Sequence, residues 1–165
     1  MHTDAYEDLY SIFYVSAARS TAADVERIVA VSQQNNRVRG ITGGLLFTGG
    51  YFAQVIEGPV AAVIMTMKAI TADSRHGHVT PLWERAIRVR AYRRWSMGYV
   101  MKESADNLVR PLIDSSVDRQ TAHDLCDSLV ELIKSSGAPR IAVGGDLPIG
   151  RPSRRPAGAI RQRLL

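Results

Sequence analysis

The chain has 165 residues, 45% of them hydrophobic and 22% charged, a composition that fits a soluble globular protein and excludes disordered acidic, collagen-like and membrane-spanning classes. Its net charge of +5 is local, because the first 136 residues carry 15 basic and 15 acidic side chains and the excess lies in the last 29. One cysteine, Cys126, excludes an internal disulfide framework and a multi-cysteine metal knuckle, and the acidic start (Asp4, Glu7, Asp8) lacks the apolar stretch of a secretory signal. A cytoplasmic location is the expectation.

Asp8 to Ser16, where Leu9, Ile12, Phe13 and Val15 surround Tyr10 and Tyr14, is rich in aromatic and β-branched residues and predicts a strand. Ser20 and Thr21 offer N-caps, and Val25, Ile28 and Val29 predict a helix running to about Asn36. Ile41 to Phe47 reads as a strand, Thr48-Gly49-Gly50 as a hairpin turn, and Tyr51 to Glu57 as its partner. Gly58-Pro59 opens a second helix with an apolar stripe of Val60, Val63, Ile64, Met67 and Ile70. Thr80 to Tyr92 and Trp95 to Val100 read as two further strands. The order β-α-β-β-α-β-β predicts an α+β, ferredoxin-like fold, with two helices on one face of a five-stranded mixed sheet.

Leu108 to Ile113 predicts a short helical piece containing Pro111. Ala122, Leu125, Cys126, Leu129, Leu132 and Ile133 then follow helical spacing and end at Ser135-Ser136-Gly137. These C-terminal helices are expected to cap the sheet face left bare by the first two. From Gly137 onward, four of the seven prolines, five of the 13 glycines and six arginines stand with Asp146 alone. Disorder is the expectation for that stretch, which would be open to an acidic partner, nucleic acid or a membrane surface. The organisation so read is a core over 1–100, a helical cap over 101–137 and a basic tail over 138–165.

Several polar residues fall where apolar ones are expected. Ser32 and Asn36 continue the inward stripe of the first helix, Gln54 sits between Phe52 and Ile56 on one strand face, and Tyr14 shares the face of Ile12. Trp95 and Met97 share a face of the last strand, and Asp73, Arg75 and His76 close the second helix. Each has an ordinary explanation: a frayed helix end for Asn36, a solvent-facing sheet for Gln54, plain core packing for Trp95 and Met97. Together they ask one fold to bury Ser, Asn, Gln and Tyr on adjacent elements, which a planar polar ligand between the helices would satisfy.

Leu9 to Tyr14, Asn36 five residues before Ile41-Thr42-Gly43, Phe52 to Gly58, Asp73-Ser74-Arg75-His76 and Trp95-Ser96-Met97 resemble the BLUF family, blue-light sensors using FAD. The resemblance covers about Leu9 to Val100, with Ile56 standing where leucine is more usual. It implies noncovalent FAD with its ring between the two helices, bound by Ile28, Ser32, Asn36, Phe52, Gln54, Asp73, Arg75 and His76. Asn36 would meet the N3–H and C4=O ring edge, and Arg75 a carbonyl or phosphate. By the same analogy Tyr14 gives an electron and proton to the excited flavin, Gln54 rotates or tautomerises, and Trp95 or Met97 passes the change onward. The implied output is a downstream signalling protein, without enzymatic activity in this chain, and self-association is expected.

Two other ferredoxin-like readings compete. An RNA-recognition module needs alternating aromatics after Arg39-Gly40, and Ile41-Thr42-Gly43-Gly44 has none. An acylphosphatase-type enzyme would use Asn36 and Arg37 on a phosphate, without an evident glycine-rich loop.

Overall fold

The computed structural model describes residues 8–136, and the Arg-rich tail expectation lies outside the described residues. Strand β1 (Leu9–Ala18) is buried continuously from Ser11 to Ser16 because it pairs antiparallel with a neighbour on each side. Helix α1 (Ala22–Val38) starts at Thr21, whose side chain accepts from the Asp24 amide at 3.3 Å while Asp24 accepts from the Thr21 amide. Gly40 then takes φ +65°, a conformation cheap only for glycine, and turns the chain into β2 (Thr42–Phe47). Thr48-Gly49-Gly50 makes the predicted hairpin turn into β3 (Tyr51–Pro59), with Gly49 at φ +101°.

Pro59 ends that strand and stands at the N-cap of α2 (Val60–Ala72), one position before the first turn. Val63 and Met67 are buried as the spacing predicts, but Ile64 is 41% exposed and Val60 and Ile70 are half-buried. The contact stripe is narrower than the apolar pattern, and Thr66 occupies one of its buried places.

Strands β4 (His76–Ile87) and β5 (Gly98–Met101) complete a sheet of order β4-β1-β3-β2-β5. β5 runs parallel to β2 and the other pairings are antiparallel, so the sheet is mixed, as expected for the ferredoxin-like fold. The predicted strands Thr80–Tyr92 and Trp95–Val100 need correction. β4 and β5 lie at opposite edges, so the chain must leave the sheet after Ile87 and cross to the far side before β5 can pair. Tyr92, Trp95 and Met97 belong to that crossing segment.

Two cores result. Ile12, Tyr14, Ile41, Ile56, Val63 and Met67, with a neighbouring group around Val25, Val29 and Phe52, lie between the sheet and α1/α2. On the opposite face Phe13, Val15, Leu46 and Val55 pack against α3 (Asp106–Ile113) and α4 (Arg119–Ser136) through Val109, Cys126, Leu129 and Ile133. Burying a side chain such as Leu129 contributes about 1.5–3 kcal/mol. Gly44 of β2 lets α4 come close, since a Cβ there would lie 2.3 Å from Ile133 Cγ2. No helix among the described residues is long and apolar enough to cross a membrane.

Candidate functional site

The β1–β3 register sets Tyr14 opposite Gln54, and both side chains point to the α1/α2 side of the sheet. Tyr14 is fully buried and its hydroxyl donates to Gln54 Oε1. Burial, aided by the Asp73 carboxylate, pushes the phenol pKa well above its ordinary value, so Tyr14 keeps its proton and stays a donor. Gln54 is 5% exposed, so the solvent-facing explanation for it fails. Its Nε2 donates to Met97 Sδ at 3.3 Å, which leaves the amide spanning a hydroxyl on one side and a thioether on the other.

Between α1 and α2 lies a cavity of about 270 Å³ onto which Gln54 opens. Helix α1 brings Ile28, Ser32 and Asn36 to its wall, β3 brings Phe52 and Gln54, and the α2–β4 turn brings Asp73, Arg75 and His76. Eight residues read from sequence are thereby brought together around one space. Asn36 is not a frayed terminus: α1 continues to Val38, and the buried Asn36 amide donates to the Ser96 carbonyl at 2.7 Å. Its oxygen and second N–H remain for a ligand.

Asp73 caps the end of α2 and holds Arg75, whose Nε donates to both carboxylate oxygens at 2.9 and 3.0 Å. That hydrogen bonding draws the Asp73 pKa down to about 2. His76 does not close the helix as expected; it is the first residue of β4, where its Nδ1 lies 2.8 Å from Ser16 Oγ and its ring packs 4.8 Å from Phe52. Burial lowers its pKa, with Asp73 opposing and Arg75 reinforcing the shift.

Sequence reasoning missed Ser16, Thr66, Arg27 and Arg39. Ser16 lies two residues beyond Tyr14 on the same strand face, and Thr66 falls on the stripe of Val63 and Ile70, so the signal that marked Asn36 also marks these two. Arg27 and Arg39 line the cavity with Arg75; Arg27 is paired to Asp24 at 2.9 Å, whereas the Arg39 guanidinium reaches only the Thr66 hydroxyl at 3.5 Å.

Trp95 and Met97 do not share a strand face. Met97 is buried in the α1-side core beside Gln54, whereas Trp95 packs with Tyr92 against the α3/α4-side core, ring centroids 6.0 Å apart. The crossing segment that separates them is pinned along its length. Gln33 Nε2 donates to the Met97 carbonyl at 2.9 Å, the Gly43 amide to the Trp95 carbonyl at 3.0 Å, and the Tyr92 amide to Glu57 at 3.1 Å. Glu57 is 4% exposed, and burial raises its pKa against the opposing backbone hydrogen bonds.

The acylphosphatase reading required Asn36 and Arg37 to converge on one anion. Asn36 faces the cavity between the helices, and Arg37 lines a separate groove on the other side of α1, so the two diverge.

Comparison with known proteins agrees with this arrangement. The family model described as BLUF, "Sensors of blue-light using FAD", matches residues 9–98. The chain is 38% identical over 58 residues to the blue light- and temperature-regulated antirepressor BluF of Escherichia coli K12, covering 35% of this chain and 14% of that one. It is 31% identical over 98 residues to the photoactivated adenylate cyclase subunit beta of Euglena gracilis, covering 58% of this chain and 11% of that one. The chain thus spans only a small part of either relative's length. BlrB, described as a BLUF protein in its dark state, superposes with a TM-score of 0.62 at 29% identity, over 77% of this chain and 98% of that one. A fold with these neighbours and a family match over residues 9–98, from the first strand to the start of the last, assign the chain to the BLUF family of flavin-binding blue-light sensors.

Proposed function

We propose that the flavin is FAD, held noncovalently in the cavity between α1 and α2, and that Tyr14, Gln54 and Met97 convert its excitation into a signal for a partner protein. The residues present suit such a group. Ile28 and Phe52 supply apolar walls for a planar ring, Asn36 retains an acceptor and a donor for an imide edge, and Arg39 and Arg75 place positive charge for phosphates. Bound FAD supplies blue-light absorption and an excited state that takes an electron from a nearby phenol.

What the chain's own residues do follows from the Gln54 amide. With Oε1 on the Tyr14 hydroxyl, its N–H faces Met97 Sδ, a weak acceptor. With FAD bound, Tyr14 would give up to it both the electron and the Oη proton, and that loss would remove the donor that holds Oε1 in place. Reorientation then sets a carbonyl oxygen against the sulfur, two acceptors with no proton between them, and Met97 loses its partner. The change passes from Met97 to the crossing segment that Gln33 and Asn36 hold by its carbonyls. The observation that carries this reading is the buried amide spanning Tyr14 and Met97 at the cavity wall. Purified protein should be yellow, release FAD on denaturation and show a reversible red shift under blue light. A colourless protein that takes up no flavin would overturn the reading.

The names of the relatives, an antirepressor and an adenylate cyclase subunit, suit output through a protein partner or an attached effector.

A further inference from the structure

The crossing segment carries a chemistry that light sensing does not use. From Arg85 to Arg94 the sequence holds five arginines and no carboxylate. Three of them, Arg90, Arg93 and Arg94, line a groove of about 880 Å³ whose opposite wall is Arg37 on α1. Arg37, Arg93 and Arg94 are exposed and Arg90 is half-buried. None of the four takes part in an ion pair among the described residues, whose acidic partners Asp24, Asp73, Asp106 and Asp127 serve other cations. Two are oriented by the main chain instead: Arg90 donates to the Gly40 carbonyl at 2.6 Å, and Arg93 to the Arg90 carbonyl at 3.3 Å. Glu57, the carboxylate that reaches this segment from below, is buried, accepts from the Tyr92 amide and feels the charge of Arg90, which leaves Arg37, Arg93 and Arg94 without a counter-charge among the described residues.

We infer that this groove docks an acidic peptide segment of the protein to which the sensor signals. The inference rests on the reading that output passes to a partner, and it names the chemistry and place of that contact. The exposed guanidiniums of Arg37, Arg93 and Arg94 repel one another modestly across solvent, a ligand's carboxylates relieve that repulsion, and guanidinium groups engage carboxylates through paired N–H donors. The half-buried Trp95 adds apolar surface to the same groove, which suits a peptide carrying side chains between its acidic residues. Nucleic acid fits less well: the first 136 residues carry 15 basic and 15 acidic side chains, so no overall charge there reinforces this local cluster in drawing in a phosphate backbone. The groove floor includes Ser96 and Met97, so whatever sits there touches the segment that answers Gln54.

The test is a fluorescence-anisotropy titration of full-length protein, in the dark, with fluorescein-labelled hexaglutamate. Wild type should bind it. Arg93→Gln with Arg94→Gln should weaken binding about tenfold by removing two guanidinium contacts, and Arg37→Gln on the opposite wall should weaken it severalfold. Replacing Arg151, Arg154, Arg155, Arg161 and Arg163 by Gln should change the affinity less than twofold. Circular dichroism checks that the variants fold, and Arg37→Gln stands on a separate element should the double variant not fold. Hexaglutamate binding that survives the groove substitutions, or vanishes with the tail substitutions, would overturn the proposal. So would tighter, groove-dependent binding of labelled hexathymidylate. Failure of the partner-signalling reading would instead leave peptide binding intact while the light-induced shift is missing.

Discussion

Gln54 and Met97 are joined by an N–H···S contact of 3.3 Å although they lie on different elements, one mid-strand and one in the segment leading to β5. The thioether can only accept, so this contact exists in one amide orientation and is lost in the other. Met97→Leu, which keeps the volume, should therefore retain flavin and the initial red shift while changing the rate of dark recovery. Time-resolved absorbance measures both, and an unchanged recovery rate would remove Met97 from the pathway.

Tyr14→Phe and Gln54→Ala should each keep flavin, because neither is proposed as its main anchor, and each should lose the light-induced shift. Difference spectra under blue light decide this. A wild-type shift in Gln54→Ala would show that the amide is not the switch.

Asn36→Ala should act on binding and stability together. It removes the donor to the half-buried Ser96 carbonyl and the polar edge offered to the cavity. Losing one such hydrogen bond costs about 0.5–1.5 kcal/mol, so urea denaturation should show that loss in the flavin-free protein, alongside lower flavin occupancy after purification. Unchanged occupancy would move the anchor elsewhere.

Acidification should destabilise the protein below about pH 6.5. Burial holds the folded-state pKa of His76 below its unfolded value, so the unfolded chain takes up the proton first and stability falls as pH drops through that interval. Asp73 contributes with the same sign only at lower pH, between its ordinary value and about 2. Glu57, whose pKa is raised, acts in the opposite direction, gaining stability for the fold on protonation. Thermal melts from pH 7.5 to 5.5 should show the decline, and His76→Gln should flatten it.

The proposed boundaries predict different results from two truncations. Removing residues 138–165 should leave the spectrum, photocycle and melting temperature unchanged. Removing everything from Val117 uncovers Phe13, Val15 and Leu46 on the sheet and should cause aggregation. Size-exclusion chromatography and absorption spectra of the two truncated proteins compare them directly.

Much of the site was readable because it violates local patterning. Tyr14, Ser32, Asn36 and Gln54 are polar residues at apolar places, and the strand and helix periods alone align them. The crossing segment was not readable for the converse reason. Ile87, Val89 and Ala91 alternate with arginines as an amphipathic strand would, and only the placement of β4 and β5 at opposite edges forces the chain off the sheet there. The separation of Trp95 from Met97 follows from that same detour. His76 was assigned to the wrong element because a helix end and a strand start meet within a few residues, where local propensity decides little.

The missing Cβ at Gly44 has a mechanical meaning. With Ile133 seated directly on the β2 backbone, no strand side chain at position 44 stands between strand and helix to absorb displacement. β2 also pairs with β5, which follows Met97 by one residue. A shift of that sheet edge must then tilt α4 as a rod. Eighteen residues make a rod of about 27 Å, so a tilt of about 5° at one end moves the other by roughly 2 Å. A helix so seated would act as a lever, enlarging a small motion at the sheet before it reaches Ser136.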